Sequence, residues 1–333
     1  MRPQTTSLSP AIESKIRRSL PKLYSWYRRN RRPLPWRTRP TPYRTAVAEF
    51  MCQQTRITTV IPYYLRWLKS FPGWPQLARA SSARVLRLWE GLGYYRRARF
   101  LHRLAKEVVG LPCRELPPEP HELRKLPGIG DYTAGAIASI AFKKPAPAFD
   151  GNVARVLGRL AARHGLVRDL ATLRALAGRI VPKKNPGLHN QALMELGALV
   201  CLPKNPRCAI CPLRGVCPSR KKLPATSRLK PAPTVQHEFI LIPWRSGKIW
   251  LTPSHPLGRW RGLSLLPTLQ KKPAGARRMR ARYPFTRYWV HAAIHLSSRP
   301  PQNIPGRWMT PAEVRRATLP APHRKILAEM GIG

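Results

Sequence analysis

Carboxylates are the scarcest chemistry in this 333-residue chain: 14 Asp and Glu face 61 Lys and Arg, a formal net charge of +47. Only three are aspartates, Asp131, Asp150 and Asp169. The surplus points to a polyanionic partner, because basic side chains that neutralise phosphates release condensed counterions. A compositional bias toward Arg, Pro and Ala contributes to the same figure. An acid on such a surface weakens binding, so each one retained needs a reason. Long apolar runs are also missing, which argues against a membrane-spanning helix. The first residues carry no apolar signal core, so a cytoplasmic protein is expected. With six cysteines in an intracellular chain of this size, a disulfide framework is not expected. What remains is a globular composition, 43% hydrophobic with 38 prolines, and length enough for two domains.

Residues 11–32 predict a basic amphipathic helix through Ile12, Ile16, Leu20, Leu23 and Tyr27. Leu34-Pro35-Trp36-Arg37 breaks it, and Trp36 is either a packing aromatic or a stacking one. Thr41-Pro42 opens a second helix, read through residues 45–64, with Glu49, Gln53 and Arg56 on one stripe. Glu49 sits among Ala, Val, Phe, Met and Cys. It is either a desolvated acid with a raised pKa, able to donate a proton, or a surface partner of Arg56. Gln53 and Gln54 suit base edges, or any wet face. Residues 74–109 continue helical except at Gly91–Arg97, where two glycines, two tyrosines and two arginines form either a nucleic-acid wedge or an ordinary turn.

Leu126–Gly130 predicts a hairpin whose Gly128 and Gly130 present backbone N–H groups to a phosphate at a helix start. Small residues follow, the mark of a helix–hairpin–helix unit, and Asp131 is expected to cap that helix. Asp150, in Phe149-Asp150-Gly151-Asn152, is expected beside the sugar that the phosphate carries. Cys201, Cys208, Cys211 and Cys217 crowd into 17 residues with a single C-x2-C pair, which suits an iron–sulfur cubane better than zinc. Cys52 and Cys113 read as a small buried hydrophobe and a loop thiol. A linker over 223–234 leads to strand-like stretches at Phe239–Ile242, Lys248–Leu251 and Tyr288–Leu296. A closing helix is expected over Pro311–Met330.

Leu34-Pro35-Trp36, Glu49-x-Met51-x-Gln53-Gln54-Thr55, Gly91–Tyr95, Leu126–Gly130, Phe149–Val153 and the four cysteines follow one another in an order that resembles the endonuclease III superfamily of DNA glycosylases. Within it, the adenine-specific family is the nearest likeness. The resemblance implies a mainly α fold: a helix–hairpin–helix glycosylase domain over 1–222, with its hairpin at about 122–142 and an iron–sulfur subdomain at 201–217. A small α+β Nudix-like domain over 235–333 would read 8-oxoguanine. It implies one 4Fe-4S cluster on Cys201, Cys208, Cys211 and Cys217. The implied partner is duplex DNA with adenine opposite 8-oxoguanine or guanine, bound by a monomer in a bacterial-type nucleoid, with no membrane contact.

By the same resemblance Glu49 protonates the adenine and then activates water, Asp150 stabilises the sugar cation, and Asn152 and Tyr132 support them. Trp36, Arg37 and Gln191 line the base pocket. Gln54 and Tyr94 fill the helix around the flipped nucleotide. Phe285 and Thr286 stand where the family contacts 8-oxoguanine, with Arg287 in place of its imidazole. Tyr132 occupies the position at which strand-nicking relatives carry a Schiff-base lysine, so a monofunctional enzyme is expected. The alternatives are an endonuclease III-like glycosylase/lyase for oxidised pyrimidines and a non-catalytic iron–sulfur DNA-binding protein.

Overall fold

In the computed structural model, which describes residues 10–162, 169–221, 234–253, 255–273, 277–285 and 288–332, the basic N-terminal helix runs Pro10–Asn30 (α1). It buries Ile16, Leu20, Leu23 and Tyr27 of the predicted stripe, leaves Ile12 half-buried and buries Trp26 as well. The chain divides into two compact units, Met1–Ala78 with Arg103–Arg228, and Arg79–His102 with Leu229–Gly333. Among the described residues no helix is long and apolar enough to cross a membrane.

In the first unit α2 (Pro42–Cys52) starts at Thr41, whose hydroxyl accepts from the Arg44 N–H at 3.2 Å. The single helix expected over 45–64 is two. The backbone leaves α2 at Gln53, Gln54 takes φ 55°, and α3 (Ile57–Ser70) begins after an extended Arg56. The reason lies in the buried residues. Met51 and Val60 are both buried, yet nine residues at about 100° each would set them on opposite sides of one straight helix. The break lets both reach the core. It also removes Arg56 from the Glu49 stripe, and no Glu49–Arg56 ion pair occurs among the described residues.

Further helices follow at Trp74–Arg79 (α4), Ser82–Trp89 (α5), Arg96–Gly110 (α6) and Pro120–Leu123 (α7), α5 and α6 up to His102 belonging to the second unit. The hairpin then leads into α8 (Asp131–Ile140), and the rest of the first unit is α9 (Gly151–Ala161), α10 (Leu170–Ile180) and α11 (Pro186–Leu199). Helices α1, α9, α10 and α11 share one core, and α8 packs on both α2 and α11. The small residues of α8 serve close approach: a Cβ at Gly135 would lie 2.0 Å from the Pro147 carbonyl oxygen. The connection that ends at Asp150 is therefore laid directly on α8. Asp131 does not cap this helix as expected. Gly130 is the N-cap, and Asp131 bridges the exposed Arg124 and Arg174 at 3.1 and 2.7 Å.

The expected linker over 223–234 lies outside the described residues except for Thr234, which opens β1 (Thr234–Arg245). Strands β2 (Lys248–Leu251), β3 (Thr268–Leu269), β4 (Arg277–Phe285), β5 (Tyr288–Ser297) and β6 (Arg307–Met309) complete a sheet of order β4-β5-β1-β2-β6, with β3 pairing β1. β1 and β5 run parallel, while β4 and β5 form an antiparallel hairpin. Ile240, Ile242, Val290, Ile294 and Tyr283 face one core with Val314, Ile326 and Leu327. The closing helix is also two, α12 (Pro311–Arg316) and α13 (Ala321–Glu329), because Pro320 cannot continue a helix and serves as the N-cap of the second.

Candidate active site

α2 carries Glu49, the 3-10 turn before it carries Trp36 and Arg37, α8 carries Tyr132, and α9 begins with Asp150 at its N-cap. These side chains line one cavity of about 280 Å³, together with Asn152 and Gln191. Glu49 is half-buried because it opens onto the cavity, but its surroundings are dense. Burial pushes its pKa up to about 7, the nearby Asp150 adds to the rise, and a hydrogen bond from Tyr132 and the Arg37 charge oppose it. The Tyr132 hydroxyl also lies 3.3 Å from Met194 Sδ, and burial raises its own pKa well above that of a free tyrosine.

Asp150 is held from its own helix. One oxygen accepts the Val153 N–H at 2.7 Å and the other the Asn152 amide at 2.8 Å. Each oxygen keeps acceptor capacity for a third group. Asn152 accepts in turn from Arg155, whose guanidinium also donates to the carbonyls of Gly197 and Cys201, each bond 2.8 Å. The site aspartate is thus joined through α9 to the start of the cysteine loop.

Trp36 meets Tyr64 edge-on at 5.2 Å, and Arg37 lies over the Tyr27 ring. The Tyr27 hydroxyl donates to the Gln191 carbonyl at 2.8 Å, which fixes that amide at the cavity wall. Two charged wall residues, Arg32 and Glu195, were not expected from the sequence. Arg32 and Arg37 both clamp the buried Glu195 carboxylate, at 2.8 and 2.9 Å. Burial alone would raise Glu195, but the hydrogen bonds from Arg32 and Arg37 overcome it and hold the pKa at about 2. Glu195 lies four residues after Gln191 on α11, so the scarcity of acids that singles out Glu49 was the available signal.

Other expected site residues lie outside the cavity lining. Gln53 donates to the Thr133 hydroxyl at 3.4 Å, and Gln54 is exposed with φ 55°. Tyr94, in the second unit, is also exposed and left-handed at φ 47°, with the buried Arg97 over its ring. Non-glycine residues seldom adopt that conformation. Gly128, at φ 76°, makes the hairpin turn, and Gly130 starts α8. Phe285 ends β4 beneath the Arg259 guanidinium at 4.6 Å and beside Trp260. Thr286 and Arg287 lie outside the described residues.

Cys201, Cys208, Cys211 and Cys217 line a separate small cavity with Arg159 and Arg214, and none is in a disulfide. Arg159 donates to Cys201 Sγ at 3.2 Å and to the Leu202 and Pro203 carbonyls. No group of three His, Cys, Asp or Glu among the described residues is placed to hold a single metal ion.

The profile of the HhH-GPD superfamily of base excision DNA repair proteins matches residues 47–180. An adenine DNA glycosylase of Arabidopsis thaliana is 42% identical over 224 residues, 59% of this chain and 35% of that protein. An adenine DNA glycosylase of Buchnera aphidicola subsp. Baizongia pistaciae is 36% identical over 256 residues, covering 74% of this chain and 72% of the relative. Among solved structures, a thermostable thymine-DNA glycosylase superposes with a TM-score of 0.59 at 25% identity, over 64% of this chain and 100% of that one. The chain therefore spans about a third of the plant relative but most of the bacterial one. With that coverage and identity, the chain belongs to the adenine DNA glycosylase family.

Proposed function

We propose that the protein hydrolyses the N-glycosidic bond of adenine paired with 8-oxoguanine or guanine in duplex DNA, and leaves the strand uncut. The observation that carries this reading is the pairing, in one cavity, of a carboxyl poised at about 7 with a carboxylate fixed at a helix N-terminus. Two carboxyl groups in unlike environments are what an acid-assisted glycoside cleavage needs.

The adenine must first leave the stack, since its glycosidic bond is out of reach inside the duplex. Trp36, Arg37 and Gln191 then hold it. Glu49 gives its proton to the base at N7, and the C1′–N9 bond breaks with its electron pair going to the adenine. The sugar is left as an oxocarbenium ion, which Asp150 stabilises electrostatically or through a transient bond. Glu49, now a carboxylate, takes a proton from water as the water oxygen bonds to C1′. Glu49 thus ends protonated, and the products are adenine and an abasic site. Tyr132 holds Glu49 by a hydrogen bond and has no amine with which to form a Schiff base. Gln54 and Tyr94 fill the vacated stack, and the turn at Gly128 and Gly130 carries a phosphate.

The four cysteines fit a 4Fe-4S cluster: four soft donors line one cavity with no carboxylate among them. Bound there, the cluster would cross-link the loop over 201–217. Arg159 and Arg155 tie that loop to α9. The sheet-containing part, residues 235–333, is read as a Nudix-like domain that uses Phe285 and Thr286 to recognise the base opposite the adenine. Release of free adenine from a duplex with adenine opposite 8-oxoguanine tests the whole reading. Wild type should release it, and Glu49→Gln should slow release by about 100- to 10,000-fold. Release by neither protein, or by both equally, would sink it.

A further inference from the structure

Strand β4 carries arginine at alternate positions, Arg278, Arg280 and Arg282, opposite Met279, Ala281 and Tyr283, which pack into the core. The register sets Arg280 beside Ala293 and Arg282 beside His291, and sets His237 of β1 beside His291 in turn. The face of β4, β5 and β1 turned away from the core therefore holds Arg280, Arg282, Trp289, His291, His237 and Val235. At one end, where Leu241 and His295 are buried, this face is covered. Toward the β4–β5 hairpin it is open: Arg282, His237 and Val235 are exposed, and so is Arg280, one step farther from the hairpin along β4. Arg282 lies over the Trp289 ring at 4.3 Å, which holds its guanidinium on the face.

No carboxylate of this unit answers these arginines. From residue 235 onward 17 Lys and Arg face three glutamates and no aspartate. Glu238 lies on the core side, paired with Arg259 and accepting from Tyr283. Glu313 caps α12, and Glu329 pairs with Lys325. Glu90, in the segment from 79 to 102, pairs with Arg87 and Arg324. Arg280 and Arg282 stand about 7 Å apart along an extended strand, a row of forked donors suited to successive phosphates.

We propose that this open sheet face is a duplex-DNA surface: Arg280 and Arg282 neutralise backbone phosphates, and Trp289 braces the second guanidinium. The inference deepens the DNA-binding part of the proposed function and does not depend on which base is removed. A competing role exists, since charged residues on an edge strand such as β4 also deter strand-to-strand aggregation. Charge reversal separates the two, because Arg280→Glu/Arg282→Glu keeps the edge charged while turning phosphate attraction into repulsion.

The experiment measures anisotropy of a labelled, undamaged duplex over a salt series with the full-length protein. The control is Arg315→Glu/Arg316→Glu on α12, which changes the net charge equally on exposed residues elsewhere in the unit. The sheet variant should weaken binding at least about tenfold at 0.1 M salt and reduce the slope of log K against log salt by about 2, with the control near wild type. Equal losses in both variants, or no loss in the sheet variant, would overturn the proposal. If the reversal prevents folding, Arg280→Gln/Arg282→Gln should give the same drop in slope. Adenine release is not read, so failure here is distinct from failure of the base-removal reading.

Discussion

Asp169 caps α10, Glu13 sits between Arg17 and Arg179, Glu119 takes Lys144, and Glu195 takes two guanidiniums. In a chain short of carboxylates, most are engaged by a cation or a helix end. Glu49 is set apart by an environment that favours its neutral form. Its apolar neighbours on α2 made that legible in the sequence. The alternative pairing with Arg56 fell only because the helix ends first. Glu195 was harder to read, since the arginines that clamp it lie more than 150 residues away in the chain. The raised pKa of Glu49 fixes the sign of two pH effects. Folded protein holds the proton up to about 7, whereas the unfolded chain releases it near 4.5. Ionising Glu49 therefore costs the folded state nothing below the lower value and the full difference above the higher one. That difference amounts to roughly 3 kcal/mol or slightly more. Glu49→Gln should be more stable than wild type by about that amount near pH 8.5 and equal to it near pH 4, by urea unfolding. Adenine release by wild type should fall as pH rises through about 7. A stability gap that does not change with pH would remove the argument for a poised acid.

The placement of Asp150 is a matter of helices rather than of one side chain. α9 starts at the aspartate, and α11 passes so close that a Cβ at Gly197 would meet Asn152 Cβ at 2.6 Å and its Cα at 3.2 Å. Backbone cannot swing away as a long side chain can. Gly197→Ala should push the start of α9, destabilise the protein by about 1–3 kcal/mol and slow base release by tenfold or more. Gly178→Ala on α10, where an added methyl meets nothing within 4 Å, should instead stabilise by up to about 1 kcal/mol without slowing release. If Gly197→Ala retains full rate at full stability, the close contact does not position the aspartate. The small residues of α8 were readable as a packing signal because they come in a run. Gly197 is solitary and could not be told from any helical glycine. Two other elements were misread for related reasons. The break after Cys52 depends on which residues are buried on both sides of it, and β4 was hidden because a strand with arginine at every second position reads as a charge run. Its alternation of period two was the overlooked signal.

The first unit carries 37 Lys and Arg against 10 acids, and the second 24 against four. Neither unit alone accounts for the surplus, which is what a general compositional bias and a phosphate-binding protein both predict. Counting charges cannot separate the two, since a bias adds solvated arginines and lysines that touch nothing. Counterion release can, because only cations brought against phosphates contribute to the dependence of affinity on salt. The hairpin at Gly128, the segment around Tyr94 and the arginines of β4 lie far apart in the chain and each suits a phosphate or a stacked base. If several of them engage one duplex, some six or more phosphates are neutralised, and affinity for undamaged DNA should fall by about 1000-fold between 50 and 200 mM salt. A fall of threefold or less would mean that nearly all of the surplus charge is compositional. The same titration with Glu49→Gln should be indistinguishable from wild type, because its cavity group adds no cation to the bound surface. An altered slope in that variant would show that the acid in the cavity is coupled to backbone binding rather than to the base alone.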